Sequence, residues 1–326
     1  MPYYLGIDAG GSHTRAALCD SAGHIVCRGV GGPANYLHTD RTTLIDSLTA
    51  ALHSALPSQT CEIAAICIGM AGLGRRAERD AARSLLCQIA PLFEHAEVTH
   101  DARIAWAGGT ALSPGIVLIS GTGSIAYGVD TEGNEHRAGG YGPLYADEGS
   151  GFAMGRLALS YCLRAADGRS GSSLLVELVC RQLGIYDPKT LAIQVAENRI
   201  SRQEVSRLPQ AIAVASGQGD RNAQAIIMQS ADDLVDLIVA VAGQGQFSVN
   251  GTTQVALCGG TLSKVPELAE MVVAHTCHRL PRARVVDGAT SPLGGALLMA
   301  LAAQGIAASP HIVSNLRASG EGGGIL

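Results

Sequence analysis

Aromatic residues are scarce: they make up 4% of 326 positions, with one tryptophan, against 47% hydrophobic residues overall. The core must therefore be assembled from Ala, Val, Leu and Ile, and 41 glycines imply many tight loops. Runs of like charge are missing and the formal charge is -5, so nothing offers the basic face that nucleic acid or anionic lipid requires. The nine cysteines are odd in number and include no C-x-x-C pair, which speaks against a disulfide framework and a spaced zinc site. Most of them read as small buried hydrophobes in a reducing compartment. No basic segment leads an apolar stretch at the N-terminus, and "LGGALLMALAAQGIAA" is too short and interrupted to span a bilayer. Two phosphate-binding signatures are also absent: G-x-x-x-x-G-K-[ST], and G-x-G-x-x-G opening a helix after a strand. A small-molecule partner and a cytoplasmic location are the expectations left standing.

What is present is an α/β pattern long enough for two domains at one per ~150 residues. Strand-like runs cover Tyr4–Asp8, Ala16–Asp20 and His24–Gly29, and a helical stretch covers Thr42–Leu56. The buried run "EIAAICIGM" enters the glycine loop "AGLGR", then come a helix over Ala77–Ala90 and a short strand leading into "VTHDARIA". The small and turn-forming residues of "GGTALSPG", Gly108 to Gly115, read as a domain connection. Beyond it "IVLISGTGSIAYG" repeats the opening "YLGIDAGGSHTRAAL": an apolar strand, a bend of small residues, a strand out. That repetition suggests duplicated α/β halves. Gly151 to Gly245 reads as mainly helical, with Asp220 capping "NAQAIIMQSADDLVDLIVAVAG". "TTQVALCGGTLSKVPELAEMV" reads as strand, turn and helix, and "SPLGGALLMALAA" as a last helix opened by Pro292. The expected domains are 1–113, with a helix over 292–307 packing back on it, and 114–291; the tail 308–326 is expected to be weakly ordered from Ser309.

Three buried strands end in loops without large side chains: Gly10–Thr14, Gly121–Ser124 and Gly259–Thr261. Such loops let backbone N–H groups converge on an anion, and Ser or Thr hydroxyls add donors. Singly, each is better explained as a bare hairpin turn. Together, "GIDAGGSHTRAAL", "ISGTGSIAYG" and "ALCGGTLSKV", in this order and spacing, resemble the phosphate-1, phosphate-2 and adenosine loops of the sugar kinase/Hsp70/actin superfamily. Within it, "YGPLYADEGSGFAMG" and "THDARIA" resemble the BadF/BadG/BcrA/BcrD-type ATPase family, in particular its N-acetylglucosamine kinase-like members, from about Tyr4 to Ala303.

The resemblance implies two ribonuclease H-like α/β domains of the actin-like ATPase fold, with an active site in the cleft between them, and a homodimer. It implies that ATP is held by Gly10, Gly11, Ser12, Thr14, Gly121, Thr122, Gly123, Gly259 and Gly260, and Mg2+ by Asp8, directly or through water. By the same resemblance Asp101 is the catalytic base, and Asn35, Gly142, Asp147 and Glu148 contact the sugar. Read without it, Asp101 is an N-cap for a helix starting at Ala102, Asn35 an Asx-turn residue, and Asp147 with Glu148 a solvated acidic loop. His13 and His100 flank the loops with no assigned chemistry, Arg15 reads as a salt-bridged surface residue, and Trp106 with the apolar stripe of Asn222–Ala242 as core. The expected activity is phosphorylation of an amino sugar by ATP, N-acetylglucosamine to its 6-phosphate. Glucosamine and N-acetylmuramic acid are alternative acceptors. An activator of a radical dehydratase is an alternative function, one that needs thiolates for an iron–sulfur cluster; Cys19 and Cys258, nearest the glycine loops, lie in apolar strands instead.

Overall fold

The computed structural model describes residues 2–56 and 61–318. They fall into two compact units: one runs to Val117 and resumes at Asp287, the other spans Leu118–Val286.

The first unit begins with β1 (Tyr3–Ala9), β2 (Thr14–Cys19) and β3 (Ile25–Gly31), then α1 (Arg41–Ala55), β4 (Ile63–Met70), α2 (Arg76–Ile89), β5 (Glu97–His100) and α3 (Asp101–Thr110). Its sheet has the order β3-β2-β1-β4-β5. β1, β2 and β3 form an antiparallel meander, whereas β1, β4 and β5 run parallel. Asp8 lies beside Gly69 and Gly69 beside Thr99; Ala9, Met70 and His100 form the last row. The chain therefore leaves all three parallel strands at one edge of the sheet, the carboxyl edge where open α/β sheets bind ligands. Asp40 starts α1 by accepting from Thr43 N at 3.0 Å. Two glycines seat that helix on β3. A Cβ on Gly29 would come within 1.8 Å of Ala51 O, and one on Gly31 within 1.9 Å of Ser47 O.

Gly108 to Thr110, expected in a connection, are the last residues of α3. Ile104, Ala105, Trp106 and Ala107 are buried in the same helix, and its terminal carbonyls find backbone partners far along the chain. Gly108 O accepts from Thr290 N at 2.8 Å and Gly109 O from Ala289 N at 3.1 Å.

The second unit comprises β6 (Gly115–Ser120), β7 (Ser124–Val129), β8 (Glu135–Gly139), α4 (Gly151–Ala166), α5 (Leu174–Leu183), α6 (Leu191–Ala196), α7 (Arg202–Val205), α8 (Pro209–Gly217) and α9 (Arg221–Ala242). β9 (Ser248–Val249), β10 (Thr252–Cys258), α10 (Gly260–Lys264), α11 (Pro266–Arg279) and β11 (Ala283–Asp287) follow. Its sheet has the order β11-β10-β6-β7-β8, with β9 on β10. Asp220 caps α9 by accepting from the N–H groups of Asn222 and Ala223. The stripe Ile226, Ile227, Leu234, Val235, Ile238 and Val241 is buried, and α9 packs on β7, β8 and α11. Asp130 locks the β7–β8 turn: it accepts from Glu132 N at 3.0 Å and Asn134 N at 2.8 Å and stands 2.9 Å from His136 Nε2.

The chain then returns to the first unit. α12 (Pro292–Ala302), capped by Ser291, lies against α3, β1 and β4 with Leu293 through Leu301 buried. Its apolar text is thus a core helix; among the described residues no helix is long and apolar enough to cross a membrane. The tail departs from expectation at α13 (Pro310–Ala318). Ile312 and Leu316, one helical turn apart, are buried there, and Asn315 Nδ2 donates to Ala22 O at 2.8 Å. Residues 319–326 of the expected tail lie outside the described residues. The cysteines are all free. Cys19, Cys67, Cys162 and Cys180 are buried and Cys27, Cys61 and Cys258 partly so, while Cys87 and Cys277 are exposed.

Candidate active site

At the carboxyl edge of the first unit's sheet, the β1–β2 hairpin closes through Gly10 N–H donating to His13 O at 2.9 Å, and Gly11, Ser12 and His13 are exposed at its tip. Thr14 behaves otherwise: it is fully buried, and its hydroxyl donates to Gly32 O at 2.9 Å. The open donors of this loop are therefore those of Gly11 and Ser12. Asp8 stands, half-buried, at the strand end with Arg15 Nη1 4.0 Å from its Oδ2; the arginine is exposed, and at that distance the pair carries little energetic weight. Among the described residues no group of three or more His, Cys, Asp or Glu side chains could hold a metal. A single carboxylate beside an open glycine loop still suits Mg2+, which keeps several waters and takes its other ligands from phosphate.

Two strands away, at roughly 10 Å by the ordinary spacing of strands, β5 delivers Asp101. The N-cap of α3 is His100, whose Nδ1 accepts from Arg103 N at 3.2 Å. Asp101 is the first helical residue, exposed, with Oδ1 accepting from Ala102 N at 2.9 Å. Capping, the simpler explanation of Asp101, thus falls to its neighbour, and one Asp101 oxygen is left facing out. Asn35 belongs to the same edge, because Ala34 N donates to Gly10 O and Tyr36 N to Ala71 O, both at 2.9 Å. Its Oδ1 accepts from Leu37 N at 3.0 Å and His38 N at 3.2 Å, and its own N–H donates to Thr39 Oγ1. Asn35 is an Asx-turn residue by its oxygen, and its amide nitrogen has no partner among the described residues.

In the second unit three segments meet on one atom. Gly121 O accepts from Gly151 N at 2.8 Å and from Thr261 Oγ1 at 2.9 Å, while Gly121 N–H donates to Gly123 O across the β6–β7 hairpin. Gly259 comes so close that a Cβ there would lie 2.3 Å from Ser120 O. The hairpin Gly121–Gly123 and the Gly259–Gly260 turn, 136 residues apart in sequence, are neighbours in space. Thr122 is exposed at the hairpin tip. Ser120 Oγ donates to Gly149 O and Ser124 Oγ to Glu148 O, at 2.9 and 2.6 Å, which ties the acidic loop to the hairpin. Asp147 is 4% exposed with φ 65°. Its carboxylate lies against Gly123, where a Cβ would be 2.9 Å from Oδ2. Burial pushes the Asp147 carboxyl above its ordinary value, opposed by the N–H of Ser124, the Arg202 guanidinium and the N–H of Gly142. On the same loop Glu148 is exposed and Gly142 half-buried.

Sequence reasoning missed Arg202. Its Nη2 lies 3.4 Å from Asp147 Oδ2, and its guanidinium carbon sits over the Phe152 ring, 5.3 Å from the centroid. The only local signal was Ser201-x-x-Glu204, a capping box that marks a helix start without saying where the next side chain reaches. Of the two thiols nearest the glycine loops, Cys258 is half-buried and Cys19 is core: burial, aided by Asp20, pushes Cys19 up to about 12, far from the thiolate a cluster ligand must be.

Two sheets of this order, each opening on a glycine hairpin, define an α/β protein of the actin-like ATPase fold. A solved structure from Chromobacterium violaceum, provisionally named an N-acetylglucosamine kinase, matches 92% of this chain and 99% of its own with TM-score 0.74 and 27% identity. The chain belongs to the BadF/BadG/BcrA/BcrD ATPase family, whose sequence pattern it matches over residues 5–300. Among its relatives, an N-acetylmuramic acid/N-acetylglucosamine kinase of Clostridium acetobutylicum is 27% identical over 92% of this chain and 98% of that protein. An N-acetyl-D-glucosamine kinase of Dictyostelium discoideum is 25% identical over 91% and 97%.

Proposed function

We propose that this protein is an amino sugar kinase that transfers the terminal phosphoryl group of ATP to the 6-hydroxyl of N-acetylglucosamine. The observation that carries the assignment is Asp101: exposed at the first turn of α3, relieved of capping by His100, and set on the same sheet edge as Asp8 and the Asn35 turn. Phosphoryl transfer asks a protein to position its substrates, neutralise charge and provide one base. Asp101 accepts the proton of the sugar hydroxyl as its oxygen attacks the terminal phosphorus and ADP leaves. Backbone N–H groups of Gly11 and Ser12, and of Thr122 and Gly123, receive phosphate oxygens, while the N–H groups of Gly10 and Gly121 close the two hairpins, and the Gly259–Gly260 turn receives the adenosine. Asp8 holds Mg2+, which when bound with ATP offsets phosphate charge. Asn35 offers its unpaired amide to a sugar hydroxyl, and Asp147, Glu148 and the backbone of Gly142 take others. The names of the two relatives and of the solved structure support the acceptor class.

The test is ADP release by purified protein with Mg2+-ATP against N-acetylglucosamine, glucosamine, N-acetylmuramic acid, glucose and a no-sugar blank, with the phosphorylated position read by NMR. Strong stimulation by N-acetylglucosamine and a 6-phosphate product are expected. Equal ADP release with and without every sugar would remove the kinase assignment, and preference for another amino sugar would replace the acceptor.

A further inference from the structure

The geometry points to Arg202 as a positioning residue: laid on the Phe152 ring, its guanidinium holds the Asp147 carboxylate charged and aimed past Gly123. This rests on the kinase assignment only for what Asp147 does with substrate.

Asp147 is the most secluded acid of the acidic loop, set on left-handed backbone that fixes where its side chain leaves the chain. Burying a carboxylate costs free energy unless donors or a cation compensate it. The N–H groups of Ser124 and Gly142 supply two donors, the neighbouring Glu148 adds an opposing charge, and Arg202 is the cation that acts on it. Asp233 on α9 adds its charge to the neighbourhood through Glu148. Seating the carboxylate against Gly123 leaves it no room to swing toward the hairpin.

Arg202 is itself well anchored, although α7 has only four residues. Ser201 Oγ accepts from Glu204 N at 3.2 Å while Ser201 N–H donates to Glu204 Oε2 at 2.8 Å. Two glycines of α4 then let the backbone around α7 press directly on that helix: a Cβ on Gly155 would lie 2.1 Å from Val205 O, and one on Gly151 2.7 Å from Ser206 O. Phe152, between them, provides the ring under the guanidinium. The same first turn of α4 therefore fixes Gly121 through Gly151 and Arg202 through Phe152, so the hairpin and the cation that serves Asp147 share one support. A planar guanidinium stacks on a ring and reaches a carboxylate at once, which a lysine ammonium does not.

The test uses the full-length enzyme. Arg202→Met is expected to raise the pH at which the Asp147 carboxyl titrates, read by carbon-13 NMR of aspartate-labelled protein with the resonance assigned by Asp147→Asn. The acid limb of kcat/KM for the sugar is expected to move up by the same amount, a loss of roughly tenfold per unit on that limb, while Arg202→Lys restores the titration partly. In an Asp147→Asn background Arg202→Met is expected to cost nothing further. An unmoved Asp147 titration in Arg202→Met, or an equal cost in both backgrounds, overturns the proposal. Because the NMR readout needs no turnover, an inactive wild type would refute the kinase assignment and leave this one to be decided separately.

Discussion

Asp101→Asn separates chemistry from structure at one atom. The substitution keeps an acceptor at the position of Oδ1, so the 2.9 Å bond from Ala102 N survives, and it leaves the His100 cap untouched. What the fold loses is one negative charge at a helix N-terminus, worth about 0.3–1 kcal/mol at an exposed site. What the reaction loses is its base, expected to cost roughly 10²–10⁴ in kcat, or about 2.7–5.4 kcal/mol at 1.36 kcal/mol per tenfold. The two magnitudes do not overlap, so a thermal melt beside steady-state ADP release decides between them. The expected result is a nearly unchanged melting temperature, a kcat lower by at least a hundredfold, and little change in the KM for sugar. A fall of less than tenfold in an intact fold would refute the role of Asp101, and a fall confined to KM would make it a binding group.

Asp130 is held down to about 2 by its hydrogen bond to His136 and by the N–H and amide groups of Asn134 and the N–H of Glu132. A depressed folded value stabilises above the unfolded value near 3.9, and that contribution disappears as pH falls toward 2. Asp130→Asn should therefore melt below wild type at pH 7, with the gap closing between pH 4 and 2; a gap independent of pH would show the sign to be wrong. Gly29→Ala places a methyl 1.8 Å from Ala51 O, and α1 must lift from β3 at a cost of about 1–3 kcal/mol. That should lower the melting temperature by roughly 2–4 °C per kcal/mol, with kcat kept in the folded fraction, and an unchanged melt would contradict the packing described for α1.

Much of the site was legible because glycine loops after buried strands are local events. Apolar runs of β period delivered Asp8, Gly121 and Gly259 to their turns, and Asp220 announced α9 by a single side chain within reach of its own helix. Errors arose where partners were distant. Gly108 to Thr110 looked like a linker until Ala289 and Thr290 took up the carbonyls of that last turn. The segment after Ser309 looked polar and loose because Ile312 and Leu316 reveal an apolar face only beside the β2–β3 turn. Asp101 looked like a cap because His100 is an uncommon one, and a ring nitrogen rather than a hydroxyl takes the N–H of Arg103.

By itself, then, the sequence determined the strands that lead into the three small-residue loops, those loops, and Asp8 at the end of the first strand, since each follows from backbone sterics and periodicity within a dozen residues. Tertiary structure alone decided which loops share atoms and which charges compensate one another. Gly121 meets Thr261 across 140 residues, and Asp147 meets Arg202 across 55. Such pairings depend on how closely backbones approach, at Gly151, Gly155 and Gly259 above all, and closeness of that kind is a property of packed elements that no local pattern encodes.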